Sequence, residues 1–266
     1  MISNKQPPSN RQLTGAALLF AALFMSQILC AEPLEQDIFA RRAAADFQLT
    51  QTQFKAATNA SPAAWQFARA CFNLAEFATN DESRASIALQ GIEACRIFLK
   101  EQPNSAVAHY WLGMDLGELA RTELLGALAL VREMEQEFKT AWSLDPSVDH
   151  GGPARSLGLL YRDAPGWPTS IGSKRKSREW LERAVRTGPE FPENWLVQAE
   201  SYLQWHELDA ARESLQQLGN IWPAAHTNFT GVASEADWAD WNARRAQAQM
   251  KISDESAPVK PCRRSE

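Results

Sequence analysis

WLVQAESYLQWHELDAARESLQQLGNIWP, Trp195 to Pro223, is the stretch whose reading decides the fold. It splits into two helical runs around a short polar turn, QWHELDAA. Trp195, Gln198, Ala199 and Tyr202 recur at three- and four-residue spacing and so share one face of a first helix. Ala211, Leu215 and Leu218 do the same on a second helix, and Pro223 follows them. Small residues stand where two helices would cross closely, and large ones where a neighbouring hairpin must be filled. A single hairpin cannot bury such a face, whereas a stack of hairpins can.

The same spacing recurs upstream. Leu181, Ala184 and Pro189 repeat the second helix, as do Phe138, Ala141 and Pro146, and more weakly Cys95, Phe98 and Pro103. Each follows a matching first helix: Leu157, Gly158 and Tyr161; Leu112, Gly113 and Leu116; Trp65, Ala68 and Phe72. These are the positions of the tetratricopeptide repeat, W-x2-L-G-x2-Y on helix A and A-x3-F with a closing Pro on helix B. Copies in series, each with its proline, predict an all-α fold: an α-solenoid of tetratricopeptide-like helical hairpins. The first three copies carry long A-to-B insertions, ATNDESRAS, ELARTELLGALAL and RDAPGWPTSIGSK. The first should open on Asp81 as a helix cap, and the second is apolar enough to be helical. In the third, Pro165, Gly166 and Pro168 stop the helix. PLEQDIFARRAAADFQLTQTQFKAA predicts an N-terminal helix with room for a break near Thr50, and SEADWADWNARRAQAQM, with Ser234 and Asp237 in capping-box spacing, a C-terminal capping helix.

Composition fits this plan. The chain has 266 residues, 45% of them hydrophobic and only 3 of them Tyr. Ala, Leu, Glu, Arg and Gln dominate, which favours helix. Before the repeats, Lys5 and Arg11 precede the apolar run LTGAALLFAALFMSQIL and then CAEP, the layout of a secretory signal. The expected division is a signal peptide over 1–31, one helical-repeat domain over 32–252 and a disordered polar tail over 253–266. Cleavage after Ala31 would give a periplasmic protein; lipidation at Cys30 is the alternative, disfavoured by bulky Leu29. Losing Lys5 and Arg11 leaves 25 basic against 32 acidic residues, a charge of about −7. That balance argues against a nucleic-acid partner. Cys71 and Cys95 lie in one hairpin, either as a disulfide or as two small core residues, and no Cys-His cluster suggests zinc.

Tyr110–Gly113 (YWLG), Leu144–Pro146 (LDP), Gly151–Pro153 (GGP), Leu157–Tyr161 (LGLLY) and Pro165–Gly166 together resemble the T-component family of tripartite ATP-independent periplasmic (TRAP) transporters. The resemblance covers roughly the middle half of the chain. It implies a helical-repeat accessory protein that aids a periplasmic solute-binding receptor and holds an apolar ligand. Two features depart from that pattern: the poor lipidation signal, and one glycine, Gly172, where a pair is usual.

Candidate chemistry is sparse. Asp149 and His150 in DPSVDHGG could begin a metal or hydrolytic site, but Pro146, Gly151 and Gly152 make the same residues an inter-repeat turn with Asp149 as a cap. No phosphate loop or nucleophile elbow is present, so the expectation is a non-enzyme without cofactor or metal. Ser173–Arg178, SKRKSR, is a basic run that either faces solvent or meets an anionic partner. Repeat spacing puts Tyr110, Met114, Arg155, Leu159 and Arg162 on the inner groove, a mixture suited to a partner segment or an amphipathic acid. Trp167 stands in the Pro/Gly loop, where no repeat rule asks for it. The three insertions together would wall the groove mouth, with Trp167 as the contact. The function expected from all this is a non-enzymatic periplasmic scaffold associated with TRAP-type uptake, able to form homo-oligomers. The alternatives are a cell-envelope scaffold unrelated to transport and a hydrolase using Asp149 and His150.

Overall fold

The computed structural model describes residues 33–57, 61–123 and 126–256. The expected leader, the expected cleavage point at Ala31, Cys30 and most of the expected tail lie outside the described residues. Ten α-helices follow one another, with no strand among the described residues: α1 (Pro33–Ala56), α2 (Ala63–Ala75), α3 (Asp81–Glu101), α4 (Ala106–Ala120), α5 (Ala127–Leu144), α6 (Gly152–Asp163), α7 (Lys174–Thr187), α8 (Pro192–Gln204), α9 (Leu208–Asn228) and α10 (Glu235–Ser256). The pairs α2/α3, α4/α5, α6/α7 and α8/α9 are the four hairpins, α1 packs on α2, and α10 packs on α8. The all-α repeat fold expected from the sequence is the fold observed.

Hairpin closure follows from side-chain size. A Cβ on Gly113 of α4 would lie 2.5 Å from the Phe138 ring of α5. One on Gly158 of α6 would lie 2.5 Å from a Leu181 methyl of α7. Ala199 and Ala211 play the same part in the fourth hairpin, both with no exposed surface. Between hairpins, aromatic groups fill the gaps: Trp142 of α5 and Trp180 of α7 meet edge to face at 5.4 Å, as their helix B positions predict. Cys71 and Cys95 are buried and unpaired in α2 and α3.

Pro103, Pro146 and Pro189 each stand just beyond a helix end, as the repeat predicts, whereas α9 runs through Pro223 to Asn228. The extra length between helices A and B is present in the first three hairpins but takes two forms. In the first two it lengthens helix: α3 has 21 residues and α5 has 18, so the connections shrink to residues 76–80 and 121–126. Asn80, not Asp81, caps α3, its side chain accepting a hydrogen bond from Ser83 N at 2.8 Å. The third hairpin alone keeps an extended connection, residues 164–173, so no wall of three loops forms. Within that loop Gly172 N donates to Pro165 O at 2.9 Å and Ser173 N to Tyr161 O at 2.8 Å.

The last helix is fixed by charge as well as by apolar packing. Arg244 of α10 is 2% exposed and reaches Glu193 and Glu200 of α8 and its own helix's Asp240. Trp241 donates its indole N–H to Glu193 at 2.9 Å. α10 extends to Ser256, four residues into the span read from sequence as tail. Arg42 of α1 meets Glu235 at the start of α10 at 2.5 Å, so the first helix touches the last.

Candidate functional site

Four of the six expected groove residues converge, in two groups, on the faces of α4 and α6. The first group is a buried polar hub. Tyr110 donates its hydroxyl to Asp149 at 2.7 Å. Arg155 pairs with the same carboxylate and donates to Asn194 Oδ1 at 2.9 Å. Its guanidinium also lies over the Phe191 ring, 5.2 Å from the centroid. Asn194 in turn donates to the carbonyls of His150 and Gly188, at 2.7 and 2.8 Å. The hub therefore ties the starts of α4, α6 and α8 to the Asp149–Gly151 turn. Burial pushes the Tyr110 hydroxyl well above its ordinary pKa, and Asp149 adds to that. Burial opposes the charge on Arg155, but Asp149, Tyr110 and Glu193 outweigh it and raise its pKa.

This hub explains the Asp149–His150 turn. Asp149, His150 and Gly151 all have left-handed backbone, with φ of 49°, 54° and 87°. Asp149 does not cap α6, whose first residues carry no side-chain cap; its carboxylate faces Tyr110 and Arg155 instead. His150 stacks on Phe191 at 4.7 Å and faces Glu190 at 3.0 Å. No group of three or more His, Cys, Asp or Glu side chains fit to hold a metal occurs among the described residues.

Met114 and Leu159 form the second group. Both are half-buried and line a cleft closed by Gly117, Met134, Phe138 and Leu160. Its volume is about 10 Å³, room for about one water and not for an amphipathic acid. Arg162, outside both groups, is engaged by its neighbour Asp163 at 2.7 Å and by Ser201 at 3.1 Å. Burial raises the Asp163 pKa against the pull of Arg162. Trp167 stands apart from all of these: it is 88% exposed at the tip of the 164–173 loop.

A further buried cluster was not legible in the sequence. Glu118 of α4, 1% exposed, meets Arg84 of α3 at 2.5 Å and Arg121 at 3.0 Å, and Arg121 reaches Glu76 at 2.7 Å. Burial first, and Glu118 second, push Glu76 up to about 8 despite Arg121. One turn before Glu118, Asp115 is fully buried with neither carboxylate oxygen hydrogen-bonded, and its pKa stands well above the ordinary range because of burial and then Glu118. A Cβ on Gly91 of α3 would lie 2.1 Å from Asp115 Oδ2, so this carboxyl lies directly against the neighbouring helix. A sequence signal for it exists only in hindsight, as the glycine facing an acidic residue.

Part of what stays open on the A helices is apolar. Phe72 of α2 and Trp111 of α4 are half-buried, with ring centroids 5.9 Å apart, and Met114 follows Trp111 by one turn. Arg69, one turn before Phe72, is exposed.

Residues 34–148 match the family model of the regulator of microtubule dynamics proteins 1–3. The matched span covers α1 to α5, less than half of the chain, and over it the chain is similar to that family. No curated protein matches the chain at a significant level. The match overturns the resemblance to TRAP T-components. It also sets aside the reading as a periplasmic accessory of TRAP-type uptake, and its alternative, a cell-envelope scaffold unrelated to transport. The physical reason is visible in the hairpins. The glycines of YWLG and LGLLY answer to Phe138 and Leu181, and a Cβ on Gly152 of GGP would lie 2.7 Å from the Tyr110 ring. Those motifs record how helices cross, and a helical-repeat family needs them whatever it binds.

Proposed function

We propose that the chain acts as a helical-repeat protein of the regulator-of-microtubule-dynamics kind, engaging a protein filament through the A-helix face of its first two hairpins and without catalysis. The observation that carries this reading is the family match over residues 34–148, which spans both hairpins. The surface there suits protein contact. Phe72, Trp111 and Met114 offer a row of half-buried apolar groups, and Arg69 stands exposed beside them. Aromatic groups with a flanking arginine are the residue types that dominate binding energy at protein interfaces.

The family name makes the microtubule the first partner to test. Co-sedimentation with polymerised tubulin, and growth and shortening rates of single microtubules, are the measurements. The expected result is that the chain pellets with polymer and alters at least one rate, while Arg69→Glu reduces both effects with unchanged melting. A chain that stays in the supernatant and leaves both rates alone removes the reading. The solute-receptor partner came from the transporter resemblance and has no other support. That the leader directs export remains a separate proposal, read directly from the mass of the mature chain.

A further inference from the structure

We propose that the 164–173 loop and the first turn of α7 form a docking site for an anionic lipid bilayer. The loop is built to present one side chain. Trp167 is 88% exposed, and its neighbours Gly166, Pro168 and Thr169 are exposed with it. The base beneath them is closed. Gly172 N and Ser173 N donate back across the loop to Pro165 and Tyr161, and Ile171 packs against the core of the second and third hairpins. Pro165 and Pro168 restrict the backbone further, so little conformational entropy remains to be lost when the tip is engaged.

The charge beside the tip has the opposite sign to the chain. The whole chain is −5, yet Lys174, Arg175, Lys176 and Arg178 follow the loop within one helical turn and a half. Their acidic neighbours are Glu179, paired with Arg175, Glu207, which pairs with Lys174 and Arg178, and Glu135, which lies near Lys176 and is itself paired with Lys139. With Lys139 counted, five cations against these three carboxylates leave a local charge of +2. Arg175 is 74% exposed and Lys174 49% exposed, so these pairs are solvated ones, weak and open to exchange with lipid phosphate. Lys176 lies over the Tyr161 ring, 4.9 Å from its centroid.

A bilayer fits this geometry better than a protein pocket. A tryptophan that anchors a protein interface is ringed by contacts that exclude water from it. Trp167 has no such ring: four exposed residues form the tip, and charged side chains follow at once. An indole on a rigid projection, with cations behind it, matches the interfacial region of a membrane, where tryptophan sits among headgroups and Lys or Arg meets anionic lipid. One insertion element and one basic patch together give reversible binding, stronger than either alone.

The test is co-sedimentation of the full chain with vesicles of equimolar phosphatidylcholine and phosphatidylserine, and with vesicles of phosphatidylcholine alone. At low ionic strength the chain should bind the anionic vesicles on the order of ten-fold more tightly, with the preference shrinking in salt. Arg175→Gln and Lys176→Gln should each weaken that binding about five-fold, and Trp167→Ala about ten-fold. Brominated acyl chains should quench part of the tryptophan emission of the natural chain, and that part should be missing in Trp167→Phe. Equal affinity for the two vesicle types, no binding to either, or quenching unchanged in Trp167→Phe would each overturn the proposal. The Phe variant keeps the ring, so it decides the matter even if Trp167→Ala melts early.

Discussion

The Asp149–Gly151 turn and the 164–173 loop bracket the same helix, α6, and in sequence they look alike. Both break a helical run with Gly and Pro, and both carry residues of the kind that functional sites use. The fold treats them in opposite ways. The turn gives its one carboxylate to Tyr110 and Arg155, and its backbone carbonyl at His150 to Asn194. The loop keeps its polar backbone for itself and sends its largest side chain into solvent. Residue type alone therefore does not separate structural from functional punctuation. What separates them is whether neighbouring helices supply partners for the polar groups.

The hub is where that contrast should break most violently. Arg155→Met removes the charge that Asp149 faces and the donor that Asn194 accepts from, both inside the fold. Leaving a partly buried carboxylate uncompensated should destabilise by about 3–5 kcal/mol. Urea unfolding should show this as a lower midpoint at unchanged slope. A cost near zero would mean that α6 and α8 are held by apolar packing alone.

Next in size is the hairpin that the loop closes. Gly158 has a Leu181 methyl where a Cβ would go, so Gly158→Ala should destabilise by about 1–3 kcal/mol despite the better helix propensity of alanine. Ala211→Leu tests the equivalent crossing of the fourth hairpin and should cost a similar amount, about 1–3 kcal/mol. Melting temperatures unchanged in both would show that the register of helix A against helix B is not fixed by these contacts.

The first hairpin's own A-to-B turn sharpens the comparison by pH. Glu76 sits where the third hairpin has its loop, but buried, with its pKa raised from 4.5 to about 8. A carboxyl that holds its proton more tightly when folded favours folding at low pH. That contribution is complete below the unfolded pKa and is lost as pH rises through the folded one. Raising pH from about 5 to about 9 should therefore lower the melting temperature by a few degrees, and Glu76→Gln should flatten that dependence. A melting temperature that rises over this range would show that Arg121 holds Glu76 ionised throughout.

Much of this architecture is written in the sequence because helix crossing is a local demand on residue size. Gly113 and Gly158 each face one large side chain of the partner helix, and Ala199 and Ala211 are fully buried at the equivalent repeat positions, so a repeat pattern reveals them. Trp142 and Trp180 are legible for the same reason. The polar interior is not. Asn194 and Arg155 lie 39 positions apart, and Arg84 and Glu118 34 apart, and no periodicity brings such pairs together. Repeat spacing rightly places Tyr110 and Arg155 on helix A, but it cannot tell a groove-lining position from one sealed by the next repeat. The same limit made short crossing motifs look like the signature of a transporter component.

The smallest expected effect belongs to the most conspicuous residue. Trp167 has 88% of its surface in water, so its removal takes almost no apolar area out of the fold. Its backbone lies in a loop whose closing hydrogen bonds involve Gly172, Ser173, Pro165 and Tyr161, none of which needs the indole. Trp167→Ala should therefore change unfolding free energy by no more than about 0.5 kcal/mol, the range of an ordinary surface substitution. Set beside Arg155→Met, the pair measures how far two helix breaks on either side of α6 have diverged. A tenfold or larger gap in destabilisation would place the turn among the elements that hold the solenoid together and leave the loop free to serve a partner. If Trp167→Ala instead costs as much as a core truncation, the indole must be packed in solution, and the loop joins the turn as a structural element.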